Sequence, residues 1–129
     1  MRDINNVSGT MICKIRGVKN TNTLDSINRL DDIIRIICIH NRFTLINKLS
    51  TNHYGLKEFF PISFSLLYVL DDCHITMKTF PDSDSILFHL ISHKNFDHSD
   101  CRLIYNFLVE ALDANSSMST VEFDNIVNF

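Results

Sequence analysis

The sequence predicts an α+β two-layer sandwich, in which an antiparallel sheet carries two helices packed on one face. The chain of 129 residues and 14.9 kDa has the size of a single domain. Two segments repeat apolar residues every three or four positions, as amphipathic helices do. Several other segments alternate apolar and polar residues and are joined by short turns, which favours an antiparallel sheet.

The first strand and the first helix are predicted near the start of the chain. Residues 9–17 alternate in hydropathy, with one face better suited to burial, and are predicted as a strand. Apolar residues recur at helical spacing over residues 24–40, which predicts an amphipathic helix capped by Thr23 or Asp25. Residues 43–49 alternate less regularly and are predicted as the next strand.

A loop and a three-stranded meander are predicted in the middle of the chain. Residues 51–58 are mostly polar and contain Gly55, so they are predicted as a loop. Three segments rich in β-forming residues follow, separated by aspartate-containing turns. These strands are predicted over residues 59–70, 73–80 and 86–91. Their short connections imply that neighbouring strands pair antiparallel.

A second helix and a tail complete the predicted organisation. Asp97 and the polar residues after it are a typical helix start, and apolar residues recur at helical spacing as far as Leu112. Residues 1–114 are therefore predicted as one domain. Residues 115–129 are predicted as a flexible C-terminal tail, whose last part adds a short edge strand or binds a neighbour.

Composition and charge exclude several classes of partner. The net charge is −3, the isoelectric point is about 6.0, and the 12 Lys and Arg residues are scattered singly, so no nucleic-acid partner is expected. The apolar runs are far shorter than the ~20 residues that cross a bilayer, so no membrane partner is expected. The first residues carry no secretory signature, which predicts a cytoplasmic protein.

The cysteines and histidines are not spaced as metal ligands. The four cysteines lie 25, 35 and 28 residues apart and form no C-x-x-C pair, which predicts free thiols. His89 and His93 would share one face of a strand, but about 13 Å apart, too far to hold one ion. No metal is therefore expected.

The strand predicted over residues 59–70 is apolar on both of its faces. One alternating set is Ile62, Phe64, Leu66, Tyr68 and Leu70, and the other is Ser63, Ser65, Leu67 and Val69. A sheet with helices on one side leaves its second face in solvent unless another molecule covers it. The sequence therefore predicts a homo-oligomer or an assembly with other protein chains.

A motif around His74 resembles one found in a known enzyme family. Residues 70–82 read LDDCHITMKTFPD. They are similar to the central motif of the small prokaryotic S-adenosylmethionine decarboxylases, which runs as Glu-Ser-His, Leu-Thr/Ser-Ile-His and Thr-Trp/Phe-Pro-Glu. The identical positions are His74, Thr76, Thr79 and Pro81. Ser65 stands where a strand of the family carries a serine, and the weaker similarity extends over residues 9–112.

The resemblance implies a set of candidate catalytic positions. In that family a serine attacks the carbonyl before it, and the chain splits to leave a pyruvoyl group whose ketone forms a Schiff base with the substrate. Cys73 stands at the serine position. Lys78 replaces the histidine that assists processing, and His93 replaces the proton-donating cysteine. His74 and Ser65 complete the set of positions that match the family site.

The replacements predict that the family reaction is lost. A thiol can make the same acyl shift as a hydroxyl. The amine at position 78 is a poor base, because lysine is ordinarily protonated at neutral pH. The imidazole at position 93 differs from a thiol in size and reach. Catalytic groups act as a unit, so changes at all three positions are not expected to leave the reaction intact.

The predicted function is that of a non-catalytic S-adenosylmethionine-decarboxylase-like protein, which acts as an assembly, structural or regulatory subunit without a cofactor. The 16 Ile and 13 Asn residues have AT-rich codons, which fits a low-GC bacterium, a phage or a large DNA virus as the source. A viral source would add the virion to the cytoplasm as a location. The alternative is an enzyme that uses Cys73. This would be a divergent self-processing, pyruvoyl-dependent decarboxylase of polyamine biosynthesis, or another enzyme acting on S-adenosylmethionine. The pyruvoyl cofactor would form only if the bond before Cys73 is cleaved, and an S-adenosylmethionine-like ligand stays open under both interpretations.

Overall fold

The predicted α+β sandwich is confirmed. The structure is a computed structural model that describes residues 8–19, 21–53, 63–93 and 96–126. The strands are β1 (Ser8–Ile15), β2 (Leu45–His53), β3 (Ser63–Leu70), β4 (Cys73–Phe80), β5 (Ser85–Ser92) and β6 (Thr120–Ile126). The helices are α1 (Thr21–Leu24), α2 (Ile27–His40) and α3 (His98–Ala111). The described strands form one antiparallel sheet in the order β2-β3-β4-β5-β1-β6.

Side-chain alternation along the strands gives the sheet two different faces. Every second residue of β3, β4 and β5 is buried, as expected when one face of a strand packs on a core. Apolar residues of α2 and α3 complete that core. We call this side the covered face and the opposite side the open face. Within the described residues, no helix is both long and apolar enough to cross a membrane.

Helix α2 begins later than predicted. The helix predicted over residues 24–40 is split into α1 and α2. The prediction that Thr23 or Asp25 caps it is wrong, because the chain is extended at Ser26 and α2 begins after that residue. The Ser26 hydroxyl accepts a hydrogen bond from the Arg29 amide, which satisfies one of the first amides of the helix.

Helix α3 begins where the sequence predicts. The Asp97 carboxylate accepts a hydrogen bond from the Asp100 amide at 3.0 Å, and the Asp100 carboxylate accepts one from the Asp97 amide at 3.1 Å. This reciprocal pair is a capping box, which satisfies two backbone amides near the helix start. One side of α3 packs in the core through its buried residues Cys101, Ile104 and Leu108.

The boundaries of two other predicted elements differ. Strand β2 begins two residues after the start of the predicted segment 43–49 and continues into the predicted loop over residues 51–58. It continues because its backbone pairs with β3 as far as the end of β2. The rest of that predicted loop, and the first part of the strand predicted over residues 59–70, lie outside the described residues.

The segment after residue 114 adds an edge strand to the sheet. Strand β6 pairs antiparallel with β1 over its whole length. Just before it, the Ser119 hydroxyl accepts a hydrogen bond from the Arg16 amide at 3.0 Å and donates one to the Asn115 carbonyl at 2.8 Å. Gly17, with φ +67°, makes room for Asn115, because a Cβ at position 17 would lie 2.7 Å from the Asn115 Cβ. These contacts fix residues 115–119 against the end of β1.

The packing of α3 can be tested with two leucines of that helix. Leu108 is fully buried, whereas Leu103 is 67% exposed. We expect Leu108→Ala to lower the free energy of unfolding by about 2–5 kcal/mol, because it removes buried methyl groups and leaves a cavity. We expect the matched control Leu103→Ala to change it by less than about 0.5 kcal/mol. Urea denaturation measures both, and equal effects would contradict the orientation of α3.

Candidate functional site

Ser65 and Lys78 lie beside each other on the open face. They are cross-strand partners of β3 and β4, and Lys78 also pairs with Leu87 of β5. The three residues border a shallow hollow of about 390 Å³, which Leu67 also lines. The Lys78 ammonium lies 5.5 Å from the centre of the Phe80 ring, a distance typical of cation–π contact. This end of the open face therefore combines a cation and a hydroxyl with apolar side chains.

Cys73, His74 and His93 lie at the other end of the sheet. Cys73 is the first residue of β4, and its side chain is 1% exposed on the covered face. His74 is exposed on the open face, and its ring centre lies 6.2 Å from that of His93 in an edge-to-face arrangement. His93 directly follows β5. The two imidazoles are thus close together, while the thiol points into the core.

Four of the five candidate residues form two pairs within one chain, and the fifth, Cys73, belongs to neither pair. Cys73 and Lys78 are five residues apart on β4, so strand alternation places their side chains on opposite faces. A strand rises about 3.4 Å per residue, which separates the two Cα atoms by about 17 Å. The structure brings Ser65 to Lys78 and His74 to His93, and it does not bring these two pairs together.

The bond between Asp72 and Cys73 lies at the end of the tight turn that joins β3 to β4. The Asp72 carbonyl accepts a hydrogen bond from the His93 amide at 2.7 Å. Asp71 is also held, because its amide donates to the Thr44 carbonyl at 2.9 Å and its carboxylate accepts from the Thr44 amide at 3.1 Å. The donor on the Asp72 carbonyl polarises the group that a nucleophile at position 73 would attack.

The four cysteines are all buried, and no disulfide joins any two of them. Burial raises the pKa of Cys13, and the neighbouring Cys101 raises it further. Burial, with a smaller contribution from the charge of Asp31, raises the pKa of Cys38 to about 11. Burial also raises the pKa of Cys101, against the opposing charge of Arg102. Because the thiolate is the reactive form, these three cysteines are suited to packing rather than to nucleophilic chemistry.

The histidines of the open face do not surround a metal ion. His89 Nε2 lies 3.0 Å from the Thr10 hydroxyl oxygen, a hydrogen bond between β5 and β1. In the part of the chain that the structure describes, no group of three or more His, Cys, Asp or Glu side chains could hold a metal. The hydrogen bond with Thr10 gives His89 a structural role between the two strands.

Thr79, which matches the decarboxylase motif, has a structural role in this fold. Its side chain is fully buried, and its hydroxyl oxygen accepts a hydrogen bond from the Phe64 amide at 2.8 Å. The bond extends the β3–β4 connection beyond the last backbone pair, Ser65 with Lys78. The fold alone is thus a sufficient reason for a threonine at this position of the motif.

The structure contains a polar cluster around Asp31 that the sequence analysis does not predict. The Tyr68 hydroxyl donates to the Asp31 carboxylate at 2.5 Å, and the Arg35 and Lys48 side chains approach it at 2.8 and 3.3 Å. The cluster borders a cleft of about 250 Å³ between α2 and strands β2 and β3. A signal is present, since Tyr68 puts a hydroxyl at a buried position of β3, but its partner is 37 residues away in sequence.

The cluster changes the ionisation of its members. Burial raises the pKa of Asp31, but the hydrogen bonds from Tyr68 and Lys48 and the charges of Lys48 and Arg35 outweigh it and hold the pKa below its ordinary value. Burial and the adjacent carboxylate raise the pKa of Tyr68. Asp31 is therefore a carboxylate at neutral pH, held by a neutral phenol and two cations.

The architecture defines an S-adenosylmethionine-decarboxylase-like α+β sandwich. The crystal structure of the adenosylmethionine decarboxylase from Aquifex aeolicus is similar to this chain, with a TM-score of 0.72 over 96% of this chain and 93% of that chain. The sequence identity is 12%, so the similarity concerns the fold and not the roles of individual residues. The sequence matches no protein-family model and no curated protein sequence.

The Asp31 cluster makes stability depend on acidity. The pKa of Asp31 is lower in the folded protein than in the unfolded chain, where it is about 3.9. The ionised carboxylate therefore stabilises the folded protein fully above about pH 4, and this stabilisation is lost as the pH falls through the pKa of the folded state. We expect Asp31→Asn to lower the free energy of unfolding by about 1–3 kcal/mol at pH 7. The difference from the unchanged protein should shrink on acidification below about pH 4.

The matched control for this test is Asp32→Asn, which alters the neighbouring exposed carboxylate of α2. Urea denaturation at several pH values measures all three proteins. A constant difference between Asp31→Asn and the unchanged protein across the acidic range would contradict the lowered pKa. So would an equal loss of stability in Asp32→Asn.

Proposed function

We propose that this chain is a non-catalytic protein with an S-adenosylmethionine-decarboxylase-like fold, which acts as an assembly or structural subunit by pairing its open face with a second copy. The observation that carries the proposal is the burial of Cys73 on the covered face. The residue at this position would have to supply the electrophile of the family reaction. The Cys73 thiol is packed in the core, away from Lys78 and Ser65, and is instead suited to stabilising the packing of the sheet.

The open face has the character of an interface. Half-buried apolar side chains of β1, β3 and β5 lie on it, and exposed ones of β2 and β4 extend them; these residues are Ile12, Leu49, Leu67, Val69, Phe80, Leu87 and Ile91. With a width of about 4.8 Å per strand and a rise of about 3.4 Å per residue, six strands that average eight residues cover an area of about 780 Å². This approaches the roughly 800 Å² that each partner contributes to a stable interface.

The distribution of charge on the open face suits a second copy of the same chain. Lys14 and Lys78 lie in one cross-strand row with Leu87, towards one end of the face. A twofold axis perpendicular to the strands would turn this end of one copy towards the histidine end of the other, so the lysines would not oppose their own counterparts. Such isologous contacts bury the same patch on both subunits.

The pairing predicts a defined oligomeric state. We expect light scattering to give the unchanged protein twice the 14.9 kDa mass of one chain. We expect Leu67→Asp to have the mass of a single chain, because pairing would remove two added carboxylates from water. The matched control Leu103→Asp, on the exposed side of α3, should keep the doubled mass.

Circular dichroism and the urea midpoint establish that Leu67→Asp is folded before its mass is interpreted. A monomeric unchanged protein would contradict the pairing, whatever other chains it binds. A doubled mass in folded Leu67→Asp would show that the subunits pair through another surface, which also contradicts the proposal.

The alternative function is a divergent self-processing decarboxylase, or another enzyme acting on S-adenosylmethionine, that uses Cys73. The polarised carbonyl of Asp72 is the observation that favours it. This alternative requires cleavage before residue 73 to create a pyruvoyl group. Lys78 lies far from Cys73 and on the opposite face of the sheet, so this alternative proceeds without Lys78 as the base.

A further inference from the structure

A basic pocket lies at the end of the open face. It has a volume of about 540 Å³ and is lined by Lys14, Arg16, Phe80, Ser83, Ser85 and Leu87, among others. Strands β1, β4 and β5 supply most of these residues, and the turn after β4 supplies Ser83. Leu87 also borders the hollow that holds Ser65 and Lys78, so the two concavities are neighbours.

The strand register gathers positive charge around this pocket. Lys14 and Lys78 both pair with Leu87, one from each side, so their backbones stand about 10 Å apart, two strand spacings. Both side chains point to the open face and are exposed. Arg16 directly follows β1 and lines the pocket from the same side as Lys14.

None of these cations forms an ion pair with a described residue. Both ion pairs found in the described part of the chain involve Asp31, on the covered side of the sheet. Asp82 and Asp84 belong to the turn that supplies Ser83, but they do not line the pocket. A chain with a net charge of −3 therefore carries a local positive field in a concave site.

The pocket also offers hydroxyl groups and apolar surface. The Ser83 and Ser85 hydroxyl oxygens lie 2.8 Å apart, and both residues line the pocket. Phe80 is 39% exposed and Met118 is 51% exposed, and they contribute apolar walls. An arginine and a lysine can bind an oxyanion, and the walls can bind an apolar group attached to it.

We propose that the basic pocket binds a small molecule that carries an oxyanion, phosphate or carboxylate, on an aromatic or apolar group. Arg16 and Lys14 hold the oxyanion, one hydroxyl of the Ser83–Ser85 pair turns to donate to it, and Phe80 packs on the apolar group. The pocket shares Lys14 and Leu87 with the open face that is proposed to pair, and the proposal is independent of the fate of Cys73. Two cations lining one pocket, with a third in the neighbouring hollow, do not form the extended stripe that a nucleic acid requires.

The test is calorimetric titration of the full chain with phenyl phosphate, benzoate, inorganic phosphate and phenol. We expect saturable binding of phenyl phosphate or benzoate, and the tighter of the two identifies the oxyanion. Inorganic phosphate and phenol should each bind at least about tenfold more weakly, because each lacks one of the two interactions. Binding of inorganic phosphate as tight as that of phenyl phosphate, or no saturable binding of either aromatic anion, would overturn the proposal.

Variants locate the binding site. We expect Arg16→Gln and Lys14→Gln each to weaken binding at least about tenfold, because each removes a charged hydrogen-bond donor. The matched control Arg102→Gln, which removes an exposed cation of α3, should bind as the unchanged protein does. The urea midpoint checks folding, and light scattering on the same samples reports subunit pairing separately. Equal weakening in Arg102→Gln, or none in Arg16→Gln and Lys14→Gln together, would overturn the assignment.

Discussion

The alternation of side chains along β4 is the constraint on which this molecule's chemistry depends. It turns Cys73, Ile75, Met77 and Thr79 into the core, and it turns His74, Thr76, Lys78 and Phe80 to the open face. A shift of one residue in register would exchange the two sets and bury a lysine. Only the side chains on the open face can contact a ligand there. The Cys73 thiol is in the buried set, so it cannot.

The same alternation explains why much of the fold can be predicted from the sequence. Strands β3, β4 and β5 alternate regularly, and α3 has both apolar spacing and a polar start at Asp97, so local pattern and tertiary packing agree. Helix α2 is predicted less accurately, because apolar spacing continues through the break at Ser26 while the backbone does not. Helix ends depend on caps that a hydrophobic pattern does not contain.

The candidate site is less accessible to sequence reasoning than the fold. The motif suggests that Cys73, Lys78 and His93 act together. In the sheet, Cys73 points into the core while Lys78 lies on the open face, and Lys78 is at the opposite end of the sheet from His93. The reverse holds for Lys78, which is 62 residues from Arg16 in sequence and comes near Lys14 and Arg16 only when β1, β5 and β4 become neighbours. Cross-strand neighbours are set by topology, so neither relation can be found from local spacing.

The central claim is that a chain with a decarboxylase-like fold keeps the bond between Asp72 and Cys73 intact. Intact-mass spectrometry of the freshly purified full chain tests this most directly. The account predicts one species at the 14.9 kDa mass of the uncleaved chain. Two fragments that divide before residue 73, the second beginning with a carbonyl group in place of an amine, would contradict it and establish the self-processing alternative.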